Sequence, residues 1–325
     1  MNRPTFLLLS IITVFIAGCT GEKQDAEKVR VGFVTSIAGL GDQSFNDMGH
    51  AGLKQAAEKL GFELKTVEPK NADEFEPRLE NFCQSGFDVV VTIGFYAKAP
   101  LEKVAKKYPK VKFVIADIKA EGKNILSADF RGYEIAYVVG VLAGGITKTG
   151  QVGFLGGAKI PLLVNWEKAF RLGARAGGAK KVAARYAKTF DDPATGKAIA
   201  NTMYAEGCDV IFQGAGKTGL GVIQAARESR KFVIGSDDNQ DDKAPGYVLT
   251  SAMKRMDRVL EELIGEAIGK DFKPGHRSYG LREKGLELTD FKHSLKTVTP
   301  EIRKKLKQTI ADIISGKIKP LATPE

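Results

Sequence analysis

In GDQSFNDMGHAGL (41–53), Phe45 stands between Ser44 and Asn46, where a glycine-containing turn gives way to a helix. An aromatic face beside an amide edge suits a flat ring carrying heteroatoms. The same residues also suit a plain helix start, with Ser44 as N-cap and Phe45 as a hydrophobic staple. Residues of similar chemistry recur along the chain. Asp42 lies in the same turn, and IGFYAK (93–98) brings Gly94 and Phe95. Asp117 closes VKFVIAD (111–117), Trp166 is the only tryptophan, and Phe190 sits in AKTFDD (187–192). Gly214, Ala215 and Gly216 belong to QGAGKTG (213–219), Asp237 to IGSDDNQ (234–240), and Lys254 ends TSAMK (250–254). Carboxylates accept paired hydrogen bonds from adjacent hydroxyls, rings stack on a base or on the apolar face of a sugar, and glycine lets backbone come close. Together they suit a polar, ring-bearing small molecule. Each has a plainer alternative: a turn for an Asp at a strand end, a surface charge for the lysine, core packing for Trp166 and Phe190.

Catalytic and cofactor motifs fail on their spacing. Gly216-Lys217-Thr218 has Ile211 where the first glycine of a phosphate loop must stand. Gly214, Gly216 and Gly219 satisfy G-x-G-x-x-G, but they follow the third strand of their series, and the only acid about twenty residues on is Asp237, itself a site candidate. His50, His276 and His293 lie in unrelated segments, and Cys83 and Cys208 lack metal-ligand spacing. No cofactor, metal or catalytic residue is expected, and both thiols read as buried and inert.

The elements that carry these residues alternate. VRVGFVT (29–35) is a β-branched run, and Gly49, Leu53, Ala57 and Leu60 follow at helical spacing. FELKTVE, a helix over 74–84, DVVVTIG, a helix over 97–107 and VKFVIAD continue the pattern. After RGYEIAYVVGVLAGGITKTG the cycle restarts with QVGFLGG, KKVAARYAKTF, CDVIFQGAG, KFVIGSD and YVLTSAM. The reading is α/β: two Rossmann-like lobes with parallel sheets. GFDVVVTIGF (86–95) and GCDVIFQGAG (207–216) hold equivalent places, which suggests an internal repeat. Ligands of such sheets sit beyond the carboxyl ends of the strands, and the site candidates lie at those exits. The expected division is lobe 1 from 29–125 with about 250–285, and lobe 2 from 126–249 with about 286–325.

The first residues read as a targeting element. MNRPTFLLLSIITVFIAGC has one basic residue, Arg3, and an apolar stretch too short for a bilayer of ~30 Å. Ile16-Ala17-Gly18-Cys19 resembles a bacterial lipobox, so 1–18 reads as a lipoprotein signal peptide, Cys19 as the lipidated first mature residue and 19–28 as a flexible linker. The chain has 325 residues, 43% of them hydrophobic, and a formal charge of +10, which loses one unit with Arg3. Such length leaves room for two domains after the signal. Export argues against a nucleic-acid partner, and segments such as KVAKKYPKVK read as solvated helix faces, near an anionic lipid surface if anchored.

A longer set of motifs carries a resemblance. GDQSFN, ADFRGYEIAYVVGVLAG, FLGGAKIP, DVIFQGAGKTGLGVIQAA, FVIGSDDNQ and TSAMK, in that order across about 30–270, resemble the basic membrane protein family of bacterial lipoproteins. Its members are substrate-binding components of ABC transporters, purine nucleoside receptors among them, with the type I periplasmic-binding-protein fold. The resemblance implies that Phe45 stacks on a base with Asn46 at its edge. It implies that Asp117 and Asp237 face each other across a cleft, that Asp237 holds ribose hydroxyls, and that Lys254 reaches the same end, fixing carboxylate geometry or contacting the sugar. It also implies a second ring from Trp166 or Phe190, with Phe190 favoured by its place at a strand exit, and a close backbone approach at Gly214–Gly216. Asn239 stands where the family commonly has an acid, which bears on ligand preference.

The expected function is a lipid-anchored receptor for a purine nucleoside (guanosine, inosine or adenosine), on the periplasmic or extracytoplasmic face of a membrane. It would act as a monomer that feeds an ABC permease and performs no chemistry. A pentose receptor, a nucleoside-processing enzyme, and a sensor or adhesin are the alternatives.

Overall fold

The computed structural model describes residue 1, residues 28–270 and residues 272–324. The signal segment, Cys19 and nearly all of the linker lie outside the described residues.

The first lobe begins with β1 (Arg30–Val34), α1 (Phe45–Leu60), β2 (Glu63–Val67), α2 (Phe75–Gln84), β3 (Val89–Ile93), α3 (Lys98–Lys107), β4 (Lys112–Ala116) and β5 (Ile125–Phe130). The chain then enters the second lobe with α4 (Tyr133–Ile146), β6 (Gln151–Gly156), α5 (Pro161–Gly177), β7 (Lys181–Tyr186) and α6 (Pro193–Ala205). β8 (Val210–Gly214), α7 (Thr218–Ser229), β9 (Phe232–Asp237) and β10 (Val248–Lys254) complete that run. It returns for α8 (Met256–Ile268) and β11 (Gly275–Tyr279), and crosses again for β12 (Leu286–Leu288) and α9 (Pro300–Ile314).

The sheets run β11-β5-β4-β3-β1-β2 and β12-β10-β9-β8-β6-β7. The second order repeats the first strand for strand, and the GFDVVV and GCDVIF segments form the corresponding strands β3 and β8. Their Asp residues do equivalent work at the sheet's lower end: Asp88 accepts from the Arg30 N–H, and Asp209 from the Lys148 and Thr149 N–H groups ahead of β6. The edges differ, because β11 lies parallel to β5 whereas β12 lies antiparallel to β10.

Central strands such as β3 are apolar and β-branched with every residue buried, as a sheet covered by helices on both faces requires. In the second lobe, α4 and α5 pack through glycines: a Cβ on Gly140 would lie 2.4 Å from the Phe170 carbonyl, and one on Gly173 2.0 Å from that of Tyr137.

The expected lobe limits at 125/126 and near 250 fall inside paired strands. β5 continues to Phe130 in the first sheet, and β10 continues to Lys254 in the second. ILSADF does not read as an apolar strand because Ser127 and Asp129 interrupt it, and TSAMK reads as an exit although it is still paired. Sheet membership puts the three passages between lobes at Arg131–Gly132, at Arg255 and at 280–285, and we propose these as the lobe limits.

Candidate functional site

The turn after β1 is organised by Asp42. Its buried carboxylate accepts from the backbone N–H groups of Ser44 (3.0 Å), Asn46 (2.8 Å) and Asp47 (3.1 Å), and from Asn46 Nδ2 (2.8 Å). Asp42 thus meets the unpaired donors and the positive dipole end of α1, a task that Ser44 does not perform because its side chain makes no cap bond. Burial nevertheless outweighs these donors and pushes Asp42 up to about 6. The other end of the Asn46 amide, Oδ1, accepts from Ser36 N–H at 2.8 Å. Asn46 therefore fastens the turn to the end of β1, and both of its amide groups already have a protein partner.

Asp117 and Asp237 occupy the ends of β4 and β9, corresponding strands of the two lobes, and both adopt left-handed backbone, with φ of 77° and 65°. Such conformations cost a non-glycine residue roughly 1–3 kcal/mol and persist where the surroundings impose them. Both carboxylates converge on Lys254 at the end of β10, whose Nζ lies 2.8 Å from Asp117 Oδ1 and 3.4 Å from Asp237 Oδ1. The ammonium also stands 5.1 Å from the ring centres of Phe45 and Trp166, within cation–π range. Burial acts to lower its pKa, but Asp117 and Asp237 outweigh burial and keep Lys254 protonated.

A cavity of about 660 Å³, counting the open solvent at its mouth, lies between the strand exits of the two lobes. A cleft between two lobes at their strand exits is a place where small-molecule ligands are commonly held. Every binding candidate named from the sequence lines it except Ala215, which is buried with its N–H donating to Gln213 Oε1 at 2.9 Å. Gly94 and Gly214 occupy corresponding exits, and a Cβ on either would touch a cavity-lining ring, that of Phe45 (3.5 Å) or of Trp166 (3.2 Å). Reading the sequence missed the apolar part of the lining, including Ile37, Ala38, Tyr96, Ile160 and Leu162. All lie within the exit segments, but apolar residues at helix starts give no signal that separates lining from core.

The two candidates for a second ring differ in environment. Trp166 is 2% exposed and stacked on Phe212, with centroids 5.6 Å apart and planes 9° apart. It forms the floor of the cavity. Phe190 is partly exposed and packs on Gly157 and Gly216.

Besides the Lys254–Asp117 pair, two further contacts join the lobes at the cleft, and neither was foreseen. Ser44 Oγ lies 3.3 Å from both the Ser236 carbonyl and Asp237 Oδ2, and Gln240 Nε2 donates to the Gln43 carbonyl at 3.2 Å. The lobes are therefore closed on one another.

The remaining motifs resolve into packing. A Cβ at Gly219 would lie 2.1 Å from Gln213 Oε1, so this glycine makes room for a side chain of its own lobe. Cys83 and Cys208 are buried free thiols, and burial pushes Cys83 up to about 11. His276 meets Ser127 and Asp129, whereas His293 meets Asp242 in the other lobe. Among the described residues no cluster of three or more His, Cys, Asp or Glu is placed to hold a metal ion, and no helix is long and apolar enough to cross a membrane.

Two lobes of one topology, closed on a small-molecule cavity at their strand exits, define a solute-binding protein of the type I periplasmic kind. The Bmp family model, described as ABC transporter substrate-binding protein, PnrA-like, matches residues 28–319, and the chain belongs to that family. It is 31% identical to the ABC transporter nucleoside-binding protein BmpA of Lactococcus lactis, over 93% of each chain. It is 32% identical to an uncharacterised lipoprotein of Pyrococcus abyssi, over 87% of this chain and 74% of that one. A crystal structure of an ABC transporter solute-binding protein from Aeropyrum pernix superposes with a TM-score of 0.83 at 28% identity, covering 90% of this chain and 92% of the other. The protein is thus a substrate-binding component that delivers a ligand to an ABC permease, and its family consists of binding proteins, not enzymes.

Proposed function

We propose that the protein is a lipid-anchored receptor for purine nucleosides, held by Cys19 at the extracytoplasmic face of the membrane and supplying an ABC importer as a monomer. The observation that carries this reading is the make-up of the cavity lining. Phe45 from one lobe and Phe190 from the other present partly buried rings, while Lys254, Asp117 and Asp237 meet at a buried polar cluster. The rings suit a base, and the cluster suits the vicinal hydroxyls of a ribose. The relative named as nucleoside-binding supports the same ligand class. Three carboxylates line the cavity against one ammonium, which is already engaged by two of them. A phosphate monoester meets net negative charge there, so nucleosides are favoured over nucleotides, and nothing in the cavity suits a nucleic acid.

Isothermal titration with inosine, guanosine, adenosine, ribose and inosine 5′-monophosphate tests the reading. Saturable binding of at least one nucleoside is expected, with ribose much weaker and the monophosphate silent. Ribose binding as tightly as any nucleoside would replace it with the pentose reading. Labelling cells with a radioactive fatty acid tests the anchor: label should enter the wild type and be absent from Cys19→Ala.

A further inference from the structure

Gln240 makes more contacts than a turn residue needs. It is fully buried in the second lobe, just beyond β9. Its Oε1 accepts from Gln213 Nε2 of β8 at 2.8 Å and from the Ser236 N–H of β9 at 3.2 Å. Its own N–H donates to Ser251 Oγ of β10 at 3.0 Å, and Ser251 Oγ donates onward to Asp241 Oδ1 at 2.8 Å. One side chain and its backbone thus tie together three adjacent strands, including the strand that ends in Asp237. What remains of the amide, Nε2, leaves the lobe and donates to the Gln43 carbonyl.

The receiving side is equally fixed. Gln43 has left-handed backbone at φ 49°, and its N–H donates to Asp47 Oδ2 at 2.8 Å. Ser44, next in sequence, is held by Asp42 and sends its hydroxyl to the Ser236 carbonyl and Asp237. Each half of this contact is organised by bonds within its own lobe, and the bonds between the halves run directly from one protein group to another. Phe45 follows directly on the first side, and Asp237 lies three residues before Gln240 on the second.

We infer that Gln240 and Ser44 form a ligand-independent latch, with Gln240 as the positioning residue that couples the strand exits of one lobe to the Phe45 turn of the other. The latch stabilises the closed form in the absence of ligand, so a larger fraction of the free protein is competent to hold ligand and the apparent affinity rises in proportion. The inference deepens the receptor reading and rests on it only for the choice of probe.

The test uses the full chain as wild type, Gln240→Glu and Ser44→Ala. Gln240→Glu retains an acceptor for Gln213 and Ser236 but has no donor for Gln43. Ser44→Ala removes only the hydroxyl, leaving the backbone bond to Asp42. For either variant, the inosine dissociation constant is expected to rise roughly fivefold, the factor a single intramolecular hydrogen bond contributes to an equilibrium. The thermal midpoint of ligand-free Ser44→Ala is expected to fall by less than corresponds to its loss of binding free energy, and the ligand-free radius of gyration by small-angle X-ray scattering to increase. Unchanged inosine affinity overturns the latch. So does an affinity loss matched in full by a lower ligand-free midpoint, which marks a structural role within one lobe. Should Gln240→Glu fail to fold, Ser44→Ala decides by itself. Should inosine not bind the wild type, the receptor reading fails and scattering alone judges the latch: equal ligand-free radii overturn it.

Discussion

Lys254 Nζ lies 2.8 Å from Asp117 Oδ1 and 3.4 Å from Asp237 Oδ1, so one ammonium joins the ends of corresponding strands from the two lobes. Its charge is buried, and removing it leaves two largely buried carboxylates facing each other without their shared counter-ion. Breaking a buried pair by deleting one partner costs about 3–5 kcal/mol. Lys254→Met should therefore lower the urea midpoint sharply, whereas Asp117→Asn, which leaves Lys254 its second partner, should lower it less. A Lys254→Met protein that unfolds at the wild-type urea concentration contradicts this account.

The rings of the cavity separate by what each already touches. Phe45→Ala and Phe190→Ala should each weaken nucleoside binding by about 1–3 kcal/mol, the range for a stacked base, with little change in ligand-free stability. Trp166→Ala should instead destabilise the fold by about 3–5 kcal/mol, because its ring is buried against Phe212. Titration calorimetry and chemical unfolding of the three variants would show the two patterns, or their reversal.

Asp42 gives the fold a pH dependence of definite sign. Burial pushes its carboxyl from 3.8 up to about 6, so between these values the folded chain holds a proton that the unfolded chain has released. The contribution of this raised group to stability is greatest below the unfolded value and declines as pH rises through the folded one. At about 1.4 kcal/mol per pH unit the change approaches roughly 3 kcal/mol. Wild type should gain stability relative to Asp42→Asn when the pH falls from about 7 to about 4.5. A difference between the two proteins that stays constant across that range counts against the assignment.

Gly173 should resist a replacement that helix propensity favours. Alanine gains about 1 kcal/mol over glycine inside a helix, but a Cβ here would lie 2.0 Å from the Tyr137 carbonyl of the facing helix. Backbone cannot step aside as a side chain can, and overpacking costs about 1–3 kcal/mol. Gly173→Ala should therefore lower the thermal midpoint, and a rise would mean that α4 and α5 separate readily.

Much of the site was legible because a parallel α/β sheet places ligands at its strand exits, and β-branched runs such as VVVTI and KFVIA mark where those exits fall. Asp117, Asp237 and Lys254 could be singled out without knowing that one ammonium joins both acids. Other features were hidden for physical reasons. Gln240 and Gln43 are separated by 197 residues, and Ser44 and Asp237 by 193, so their contacts exist only once both lobes have folded and closed. In the sequence only position at a strand exit favours Phe190 over Trp166, because the difference in packing lies in Phe212 stacking beneath one and not the other. β5 escaped notice because the Ser127 hydroxyl, which disguises the strand, is satisfied by the Ala120 carbonyl of the preceding loop and by the Gly275 carbonyl 148 residues away. Asn46 was recognised as important, but its partners Ser36 and Asp42 show that it also shapes the turn.

The chain passes between its halves three times, at Arg131–Gly132, at Arg255 and at 280–285, and the Arg131 N–H donates to the Tyr279 carbonyl at 2.8 Å while the Arg255 N–H donates to the Gly285 carbonyl at 2.8 Å. Three tethers bonded side by side resemble the spine of a book, an edge about which the covers can swing while the crossings stay paired to one another.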